Sequence, residues 1–269
     1  MKFSTEEISA ELFEVGSDQR LNIILHLNEK NWPISALAKE LDATVTEVHR
    51  NFGRLQKTGF ISKNVDGTYR LTVKGENICT QIPSIEFVLK NSKYFEDHTF
   101  GDLPVKFRQR IGNLSKNKKI KGVVKVLEKW KQIHSNANEY IYNILAEVPY
   151  SKDIIDVVEK KLNDKIMISS IFAKNAIIPE ERESTFKTKN FTKFVKDDLL
   201  VRKMVDSVSV VVLFNEKESC AIFPNLNGEP DLSEMFYSDD SQFHEWCADY
   251  FEYMWKKSSR FQESKLTSE

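Results

Sequence analysis

The fold of this chain is decided by residues 33–75, which read PISALAKELDATVTEVHRNFGRLQKTGFISKNVDGTYRLTVKG. Near the centre of this stretch, Thr44 is followed three residues later by Glu47, the pairing found in a helix-capping box. We therefore predict a helix over residues 45–57, beginning at Val45. Four apolar side chains of this helix fall within about 80° of one another at 100° per residue: Val45, Val48, Phe52 and Leu55. They should form one buried stripe.

The opposite face of this helix carries short or basic side chains, which suit the major groove of DNA. Arg50 lies almost diametrically opposite the buried stripe, where a guanidinium group can reach guanine edges or phosphates. Thr46 is short and Gly53 leaves room, so both allow the backbone to come close. With the cap and the following hairpin, the predicted DNA-contacting residues are Thr44, Thr46, His49, Arg50, Gly53, Arg54, Lys57, Lys63 and Arg70.

The flanking segments complete a winged helix-turn-helix. Ahead of the central helix, residues 34–41 show apolar side chains at i, i+3, i+4 and i+7, the pattern of a short amphipathic helix. Asp42-Ala43 leaves only a tight turn between the two helices, and Gly59 is placed to end the second. Residues 61–65 and 68–72 then flank Asp66-Gly67, a strong signal for a two-residue hairpin. That hairpin would be the wing.

The distribution of charge favours DNA as the partner. Residues 44–74 contain six basic and two acidic side chains, whereas the whole chain has a net charge of −1. Positive charge concentrated on one motif is typical of a phosphate-binding surface. Winged helices also serve as protein-docking modules, so a protein partner remains an alternative.

Residues 37–75 resemble the winged-helix domain of archaeal ArsR-type transcriptional regulators. They match its helix, turn, helix and wing, and they end on a Leu-Thr-x-x-Gly step from strand to helix. The arsenic-sensing branch of that family uses a Cys-containing pair on a helix, but this chain has no cysteine before Cys79. The resemblance therefore implies DNA binding, and it does not imply metal sensing of the arsenic type.

The composition suits an intracellular protein of two domains. The chain has 269 residues, of which 41% are hydrophobic, and no apolar run is long enough to span a membrane. No signal peptide is expected from the first residues, so we predict a cytoplasmic, nucleoid-associated protein. Cys79, Cys220 and Cys247 lack the spacing of a zinc site and are predicted to be buried thiols, although a redox role for one of them stays open.

The second half of the chain has the pattern of an α/β domain. Apolar runs at residues 140–145 and 166–172 flank a helical segment at 154–162, which predicts a βαβ unit with parallel strands. Residues 208–214 and 219–223 predict an antiparallel hairpin, so the sheet should be mixed and flanked by helices. We predict a winged-helix domain over residues 1–90, a linker over 91–102 with His98 solvated, an α/β effector or dimerisation domain over 103–261, and a disordered tail over 262–269.

Three runs of this domain resemble the C-terminal domain of the archaeal regulator family that includes the methanogenesis and filament regulators. They are Leu103-Pro104 with residues 110–114, residues 139–141 with Val148-Pro149, and residues 223–232, FPNLNGEPDL. The strand–helix–strand unit also resembles the phospholipase-D-like sensory domain of archaeal sugar-responsive regulators. These resemblances imply a transcriptional regulator with an effector or assembly domain.

No catalytic pattern accompanies the phospholipase-D-like resemblance. That chemistry needs a nucleophilic His with a Lys two residues later, and none of the five histidines has one. We therefore expect no enzymatic activity, no cofactor and no metal. In parallel sheets, ligands bind beyond the carboxyl ends of the strands. A small-molecule effector would there meet Glu147, Tyr150, Lys174 and Asn175, which could equally be solvated loop residues.

Three functions remain open at this point. The first is a homodimeric regulator that reads a palindromic operator in double-stranded DNA and responds to an effector. The second is a protein-docking winged helix. The third is a constitutive repressor or chromatin protein without a ligand. Ile8, Leu12 and Phe13, on a predicted N-terminal helix, are candidates for the dimer contact, although they could equally pack within one chain.

Overall fold

The structure is a computed structural model that describes residues 4–147, 151–174, 176–178 and 181–268. The chain divides into two compact units, Met1–Pro83 and Ser84–Glu269. Each unit has a hydrophobic core of its own. The architecture agrees with the predicted fold class, an N-terminal winged helix-turn-helix and a C-terminal α/β domain with a mixed sheet flanked by helices.

The first unit is built from helices followed by a short hairpin. Its elements are α1 (Thr5–Val15), α2 (Asp18–Glu29), α3 (Ile34–Glu40), α4 (Val45–Lys57), β1 (Ile61–Lys63), β2 (Tyr69–Leu71) and the start of α5 (Val73–Lys90). Trp32 forms an isolated antiparallel bridge with Tyr69, which adds a third extended segment beside the hairpin. This is the order of elements expected of a winged helix-turn-helix.

The capping box predicts the start of α4 correctly. The Thr44 hydroxyl accepts a hydrogen bond from the Glu47 backbone N–H at 3.2 Å, and the Glu47 carboxylate accepts one from the Thr44 backbone N–H at 3.1 Å. Val48, Phe52 and Leu55 are buried as predicted, whereas Val45 is 53% exposed. Val45 is the first residue of the helix, so its side chain lies at the edge of the core rather than over it.

The hairpin has a three-residue loop, not the predicted two-residue turn. Lys63 pairs with Tyr69, and the Asn64 backbone N–H donates to the Thr68 carbonyl oxygen at 2.8 Å. Gly67 donates to the Asn64 carbonyl oxygen and has a φ of +85°, so it takes the left-handed position of a turn followed by a bulge. The Asp-Gly pair thus predicts the position of the turn but not its length.

The second unit is a sheet of eight strands packed between helices. Its helices are α6 (Val105–Gln109), α7 (Val123–Asn136), α8 (Lys152–Asn163), α9 (Glu181–Thr188), α10 (Phe191–Lys196) and α11 (Ser241–Lys257). Its strands are β3 (Lys118–Lys121), β4 (Tyr140–Leu145), β5 (Met167–Ala173), β6 (Ile177–Ile178), β7 (Leu200–Val205), β8 (Val211–Asn215), β9 (Ser219–Ile222), β10 (Glu234–Ser238), β11 (Ser259–Arg260) and β12 (Thr267–Ser268).

The large sheet has the order β11-β7-β5-β4-β8-β9-β10-β3. Strands β4, β5 and β7 are parallel, and β4–α8–β5 is the predicted βαβ unit. Strand β8 pairs antiparallel with β4 and with β9, so it lies inside the sheet and all five of its residues are buried. The strongly apolar sequence of β8 is explained by this central place.

Helices cover both faces of this sheet. On one face α11 packs against β4 and β8, with the Tyr142 ring stacked on that of Phe251 at 4.8 Å between centroids. On the other face α7 and α8 pack against each other, and α8 also contacts β5. Alternate residues of β4 therefore point to different helical layers, as strand geometry requires.

The predicted linker, and residues 262–268 of the predicted tail, contain secondary structure. Residues 91–102 include a 3-10 helix, Tyr94–Glu96, and Tyr94 is buried. His98 is only 8% exposed, so the prediction of a solvated His98 is wrong. Its ring stacks on that of Tyr94, and its Nε2 lies 3.1 Å from the Asp231 carboxylate. In the predicted tail, residues 263–265 form a 3-10 turn and β12 pairs with β6.

Candidate functional site

The outer face of α4 presents its predicted DNA-contacting side chains to solvent. Thr46, His49, Arg50, Gly53 and Lys57 are all exposed. Among the described residues, Arg50 makes no hydrogen bond and no ion pair within 4.0 Å, and Lys57 makes none either. Since the capping box holds Glu47 at the first turn, its hydrogen bonds from Thr44 keep the pKa of the Glu47 carboxyl below its usual value.

Arg54 differs from Arg50 because it is already paired. Its Nε donates to the Glu14 carboxylate at 3.0 Å and its Nη2 donates at 2.5 Å, so α1 holds the guanidinium group with two bonds. These bonds lower the pKa of Glu14 from its usual value and raise that of Arg54. The Arg54 side chain is still 46% exposed. A DNA phosphate could bind its guanidinium group only in competition with the Glu14 carboxylate.

Lys74, which belongs to the six basic residues counted over residues 44–74, is also paired with an acidic side chain of α1. The Lys74 Nζ lies 2.5 Å from the Glu11 carboxylate, one turn of α1 before Glu14. The acidic residues of α1 lie before residue 44, so they were not part of the charge count over residues 44–74. Over Met1–Pro83 there are ten basic and eleven acidic side chains. The positive charge is therefore a local feature of α4 and the hairpin, set in a unit that is not basic overall.

The wing presents one cation from each strand and an apolar tip. Lys63 and Arg70 are both exposed, and the Arg70 Nε contacts the Ser62 hydroxyl at 3.4 Å. Val65, at the tip, is fully exposed. Sequence reasoning missed Val65 because it was assigned to a strand. Its position next to the Asp66-Gly67 turn could have indicated that it lies at the tip of the wing.

Of the four residues predicted to bind an effector, the two that the structure describes, Glu147 and Lys174, line different pockets. Glu147 is exposed and lines a pocket of about 430 Å³ with Ser207 and Asp231 beyond the ends of β4 and β5. Lys174 forms an ion pair with Asp206 and lines a separate pocket of about 480 Å³. Tyr150 and Asn175 lie outside the described residues. The strand ends are adjacent as predicted, since Leu145 pairs with Phe172, but the two described side chains point into different pockets.

The three cysteines are buried, free thiols. Burial raises the pKa of the Cys220 thiol to about 12, and it also raises the pKa of Cys79 and Cys247. A thiol of this kind is a poor nucleophile at neutral pH because the thiolate form is scarce. The prediction of buried thiols is confirmed.

The part of the chain that the structure describes contains neither a metal-binding cluster nor a membrane-spanning helix. There, no three His, Cys, Asp or Glu side chains are grouped so as to hold a metal ion. In the same residues, no helix combines the length and the apolar character needed to cross a membrane.

Comparisons with known proteins give structural alignments at low identity and low TM-score. No protein-family model and no curated protein matches the chain. Among solved structures, the archaeal chromatin protein TrmBL2, described as showing a novel mode of DNA binding, aligns with 96% of this chain and 100% of its own, at 14% identity and a TM-score of 0.43. NucT from Helicobacter pylori aligns with 54% of this chain and 99% of its own, at 12% identity and a TM-score of 0.41. Nuc, a phospholipase D family member from Salmonella typhimurium, aligns with 55% and 100%, at 9% identity and a TM-score of 0.37. Similarities at this level carry no conclusion about what the present chain binds or catalyses.

Proposed function

We propose that the first unit binds double-stranded DNA, with α4 in the major groove and the β1–β2 wing on the neighbouring backbone. The observation that carries this proposal is Arg50, an exposed guanidinium group opposite the buried stripe of α4 that makes no hydrogen bond and no ion pair within 4.0 Å among the described residues. Thr46 and His49 flank it on the same outer surface. An arginine placed in this way donates two hydrogen bonds to a guanine edge, the most common specific contact in the major groove.

In this proposal the chain is a transcriptional regulator, and its second unit senses or assembles without catalysing a reaction. The absence of a His-x-Lys pair from the sequence supports the non-enzymatic assignment. One winged helix reads few base pairs, so two copies would bind a palindromic site as a homodimer. The more specific resemblance to ArsR-type regulators remains a prediction.

A protein-docking role for the winged helix is the second candidate, and two observations favour it. The first unit has no excess of positive charge. In addition, Ile8 and Leu12 of α1 are exposed beside Phe60 and Ile78, where they line an apolar groove of about 450 Å³. Apolar patches of this kind are typical of protein contacts.

Quantitative DNA binding separates the two candidates. We would measure binding of the full chain to duplex DNA from upstream of its own gene, and to a scrambled duplex, between 50 and 200 mM salt. We expect Arg50→Ala to cost about 1–3 kcal/mol on the preferred sequence and to weaken the preference for it. Lys57→Ala should weaken both duplexes alike and reduce the salt slope by about one.

The matched control is Arg108→Ala, which removes the same charge from an exposed position on α6 in the second unit. This control should bind both duplexes as the wild type does. If Arg50→Ala and Arg108→Ala were indistinguishable, α4 would not be the reading helix. If the wild type bound no duplex at 50 mM salt, the protein-docking role would be favoured.

A further inference from the structure

A mostly apolar pocket lies between the large sheet and the helices on its α7–α8 face. Its volume is about 120 Å³, and its walls come from β4, β5, β7, α7, α8, α9 and α10. It lies at the middle of the strands, so it is distinct from the two pockets at the strand ends. Its lining is dominated by aliphatic and aromatic side chains, among them Trp130, Ile154, Val158 and Phe191.

Three polar side chains cross the floor of this pocket in one row. Asn143 of β4 pairs with Ser170 of β5, and Ser170 pairs with Arg202 of β7. Residues in register on neighbouring strands point to the same face, so all three line the pocket. His134 of α7 lines it from the opposite side.

One polar atom of this row, the side-chain oxygen of Asn143, has no hydrogen-bond partner. Asn143 is 3% exposed. A buried amide oxygen without a partner destabilises the folded chain, and such groups are rare in folded proteins. The Asn143 amide can present its oxygen or its NH₂ group to a ligand, because a half-turn of the side chain exchanges them.

The charged and titratable groups of the pocket set the charge of its occupant. Arg202 is the one side chain with a permanent charge among the described residues that line it. Its guanidinium group pairs with Glu263 at 3.0 Å and lies over the rings of Phe186 and Phe261. The His134 Nδ1 donates to the Trp130 carbonyl oxygen at 2.9 Å, which leaves Nε2 of the neutral ring as an acceptor. A charged ligand would find no unpaired counter-charge here.

We propose that this pocket binds a small, uncharged molecule with an apolar body and a single hydroxyl group, held by Asn143. A water molecule could satisfy the amide, but it would leave the apolar walls wet. A ligand with a ring and one hydroxyl group satisfies both, because a hydroxyl group donates and accepts. The size is suitable, since a dry cavity of about 150 Å³ in another protein holds a benzene-sized molecule.

The test compares phenol with toluene, which has the same shape without the hydroxyl group. Binding of each to the full chain would be measured by ligand-observed NMR titration without DNA. We expect each compound to bind saturably at one site. Phenol should bind about tenfold more tightly than toluene, because it makes one additional buried hydrogen bond. Asn143→Leu should abolish the preference for phenol while it keeps the binding of toluene.

Two further variants complete the experiment. Val158→Phe adds bulk at a half-buried position of the pocket wall and should weaken both ligands by at least about tenfold. Ser219→Ala removes another buried, unpartnered polar group of the sheet that does not line the pocket, and it should change nothing. The proposal is overturned if phenol does not bind saturably, if Val158→Phe binds it as the wild type does, or if Asn143→Leu still prefers phenol. Because no DNA is present, such a failure would leave the DNA-binding proposal untouched.

Discussion

Glu14 joins two arginines that come from different helices. Its carboxylate is held by Arg54 of α4 and lies 3.3 Å from the Nε of Arg20 of α2. Arg20 also donates to the backbone carbonyl oxygens of Phe13 and Glu14, so its position does not depend on the carboxylate. Glu14 therefore neutralises a cation of the proposed DNA surface, while its removal should leave the fold intact.

We predict that Glu14→Gln strengthens DNA binding. The variant frees Arg54 for a phosphate, so the salt dependence of binding should steepen by about 0.9 in log–log slope. Glu6→Gln is the control, because it removes the same charge from the same helix at an exposed position. The measurement is duplex binding over a range of salt concentrations. Equal slopes for Glu14→Gln and Glu6→Gln would contradict a role for Arg54 in phosphate binding.

We expect His134 to make the stability of the second unit sensitive to acid. Burial lowers the pKa of this imidazole from 6.5 to about 4 in the folded chain. Below pH 6.5 the unfolded chain binds a proton that the folded chain does not bind, so the free energy of unfolding falls as the pH falls. This loss is absent above pH 6.5 and is complete near pH 4.

We predict that His134→Gln weakens this dependence. Between pH 6.5 and 4 the histidine contributes a slope of at most about 1.4 kcal/mol per pH unit, which glutamine lacks. Glutamine can still donate to the Trp130 carbonyl oxygen, as His134 does. Urea unfolding at several pH values measures the slope, and His49→Gln, at an exposed position on α4, is the matched control. If the free energy of unfolding of His134→Gln depended on pH as steeply as that of the wild type, His134 would not be the source of the acid sensitivity.

At the scale of single residues, local partners could be predicted from the sequence and distant ones could not. Thr44 and Glu47 are three residues apart, so helix geometry alone brings them together. Glu14 and Arg54 are forty residues apart, and only the packing of α1 against the rest of the unit joins them. The contact of His98 with Asp231 was missed for the same reason, since it spans 133 residues.

Two glycines show how the elements of the first unit constrain their residues. Gly53 lies on the outer face of α4, and a Cβ placed there would meet no atom within 4 Å. Gly75 lies near the start of α5, where a Cβ would overlap the carbonyl oxygen of Phe60. The Leu-Thr-x-x-Gly step is therefore explained by the close approach of α5 to the residue that precedes β1.

We predict opposite effects of alanine at these two positions. Gly53→Ala should stabilise the first unit by about 0.5–1 kcal/mol, because glycine inside a helix loses more conformational entropy than alanine. Gly75→Ala should destabilise it by about 1–3 kcal/mol, because the backbone must shift to admit the methyl group. Urea unfolding followed by circular dichroism measures both, and each variant serves as the control for the other. Destabilisation by Gly53→Ala would contradict the open environment assigned to it.

Apolar elements were predictable from their patterns, and polar strands were not. Strand β8 is a continuous apolar run, and the β4–α8–β5 unit shows a clear change of period, so both were predicted. Strand β7 reads LVRKMV, and its charged residues conceal it. Arg202 and Lys203 are accommodated there by stacking on aromatic rings that come from other elements. The pocket containing Asn143 depends on the register of β7 and β5, which no local pattern specifies.

At the scale of the whole molecule, α1 leaves apolar side chains uncovered. Ile8 and Leu12 are about half exposed and Phe13 is 70% exposed. Ile8 and Leu12 are four residues apart, so they lie on the same face of α1. Because a two-fold interface uses the same patch on both copies, this face suits contact with a second copy of the chain.

We predict that the chain is a dimer at micromolar concentration and that Leu12→Glu dissociates it. A carboxylate at the centre of an apolar interface costs well above 1.4 kcal/mol, so the dimer dissociation constant should rise by at least about tenfold. Val124→Glu is the matched control, because Val124 is an apolar residue on α7 that is 70% exposed, against 57% for Leu12. Sedimentation velocity measures the mass of each variant, free and on a duplex whose two half-sites lie about 34 Å apart.

If the chain binds DNA as a dimer, binding should also depend on the spacing of the half-sites. Two recognition helices in a fixed relation bind well only when the half-sites are one helical turn apart or a small multiple of it, so inserting about five base pairs should weaken binding by the wild type. The same insertion should have little effect on Leu12→Glu, since each copy then binds alone. A wild type that sediments as a monomer both free and on DNA, or that ignores the insertion, would show that one copy reads the DNA by itself.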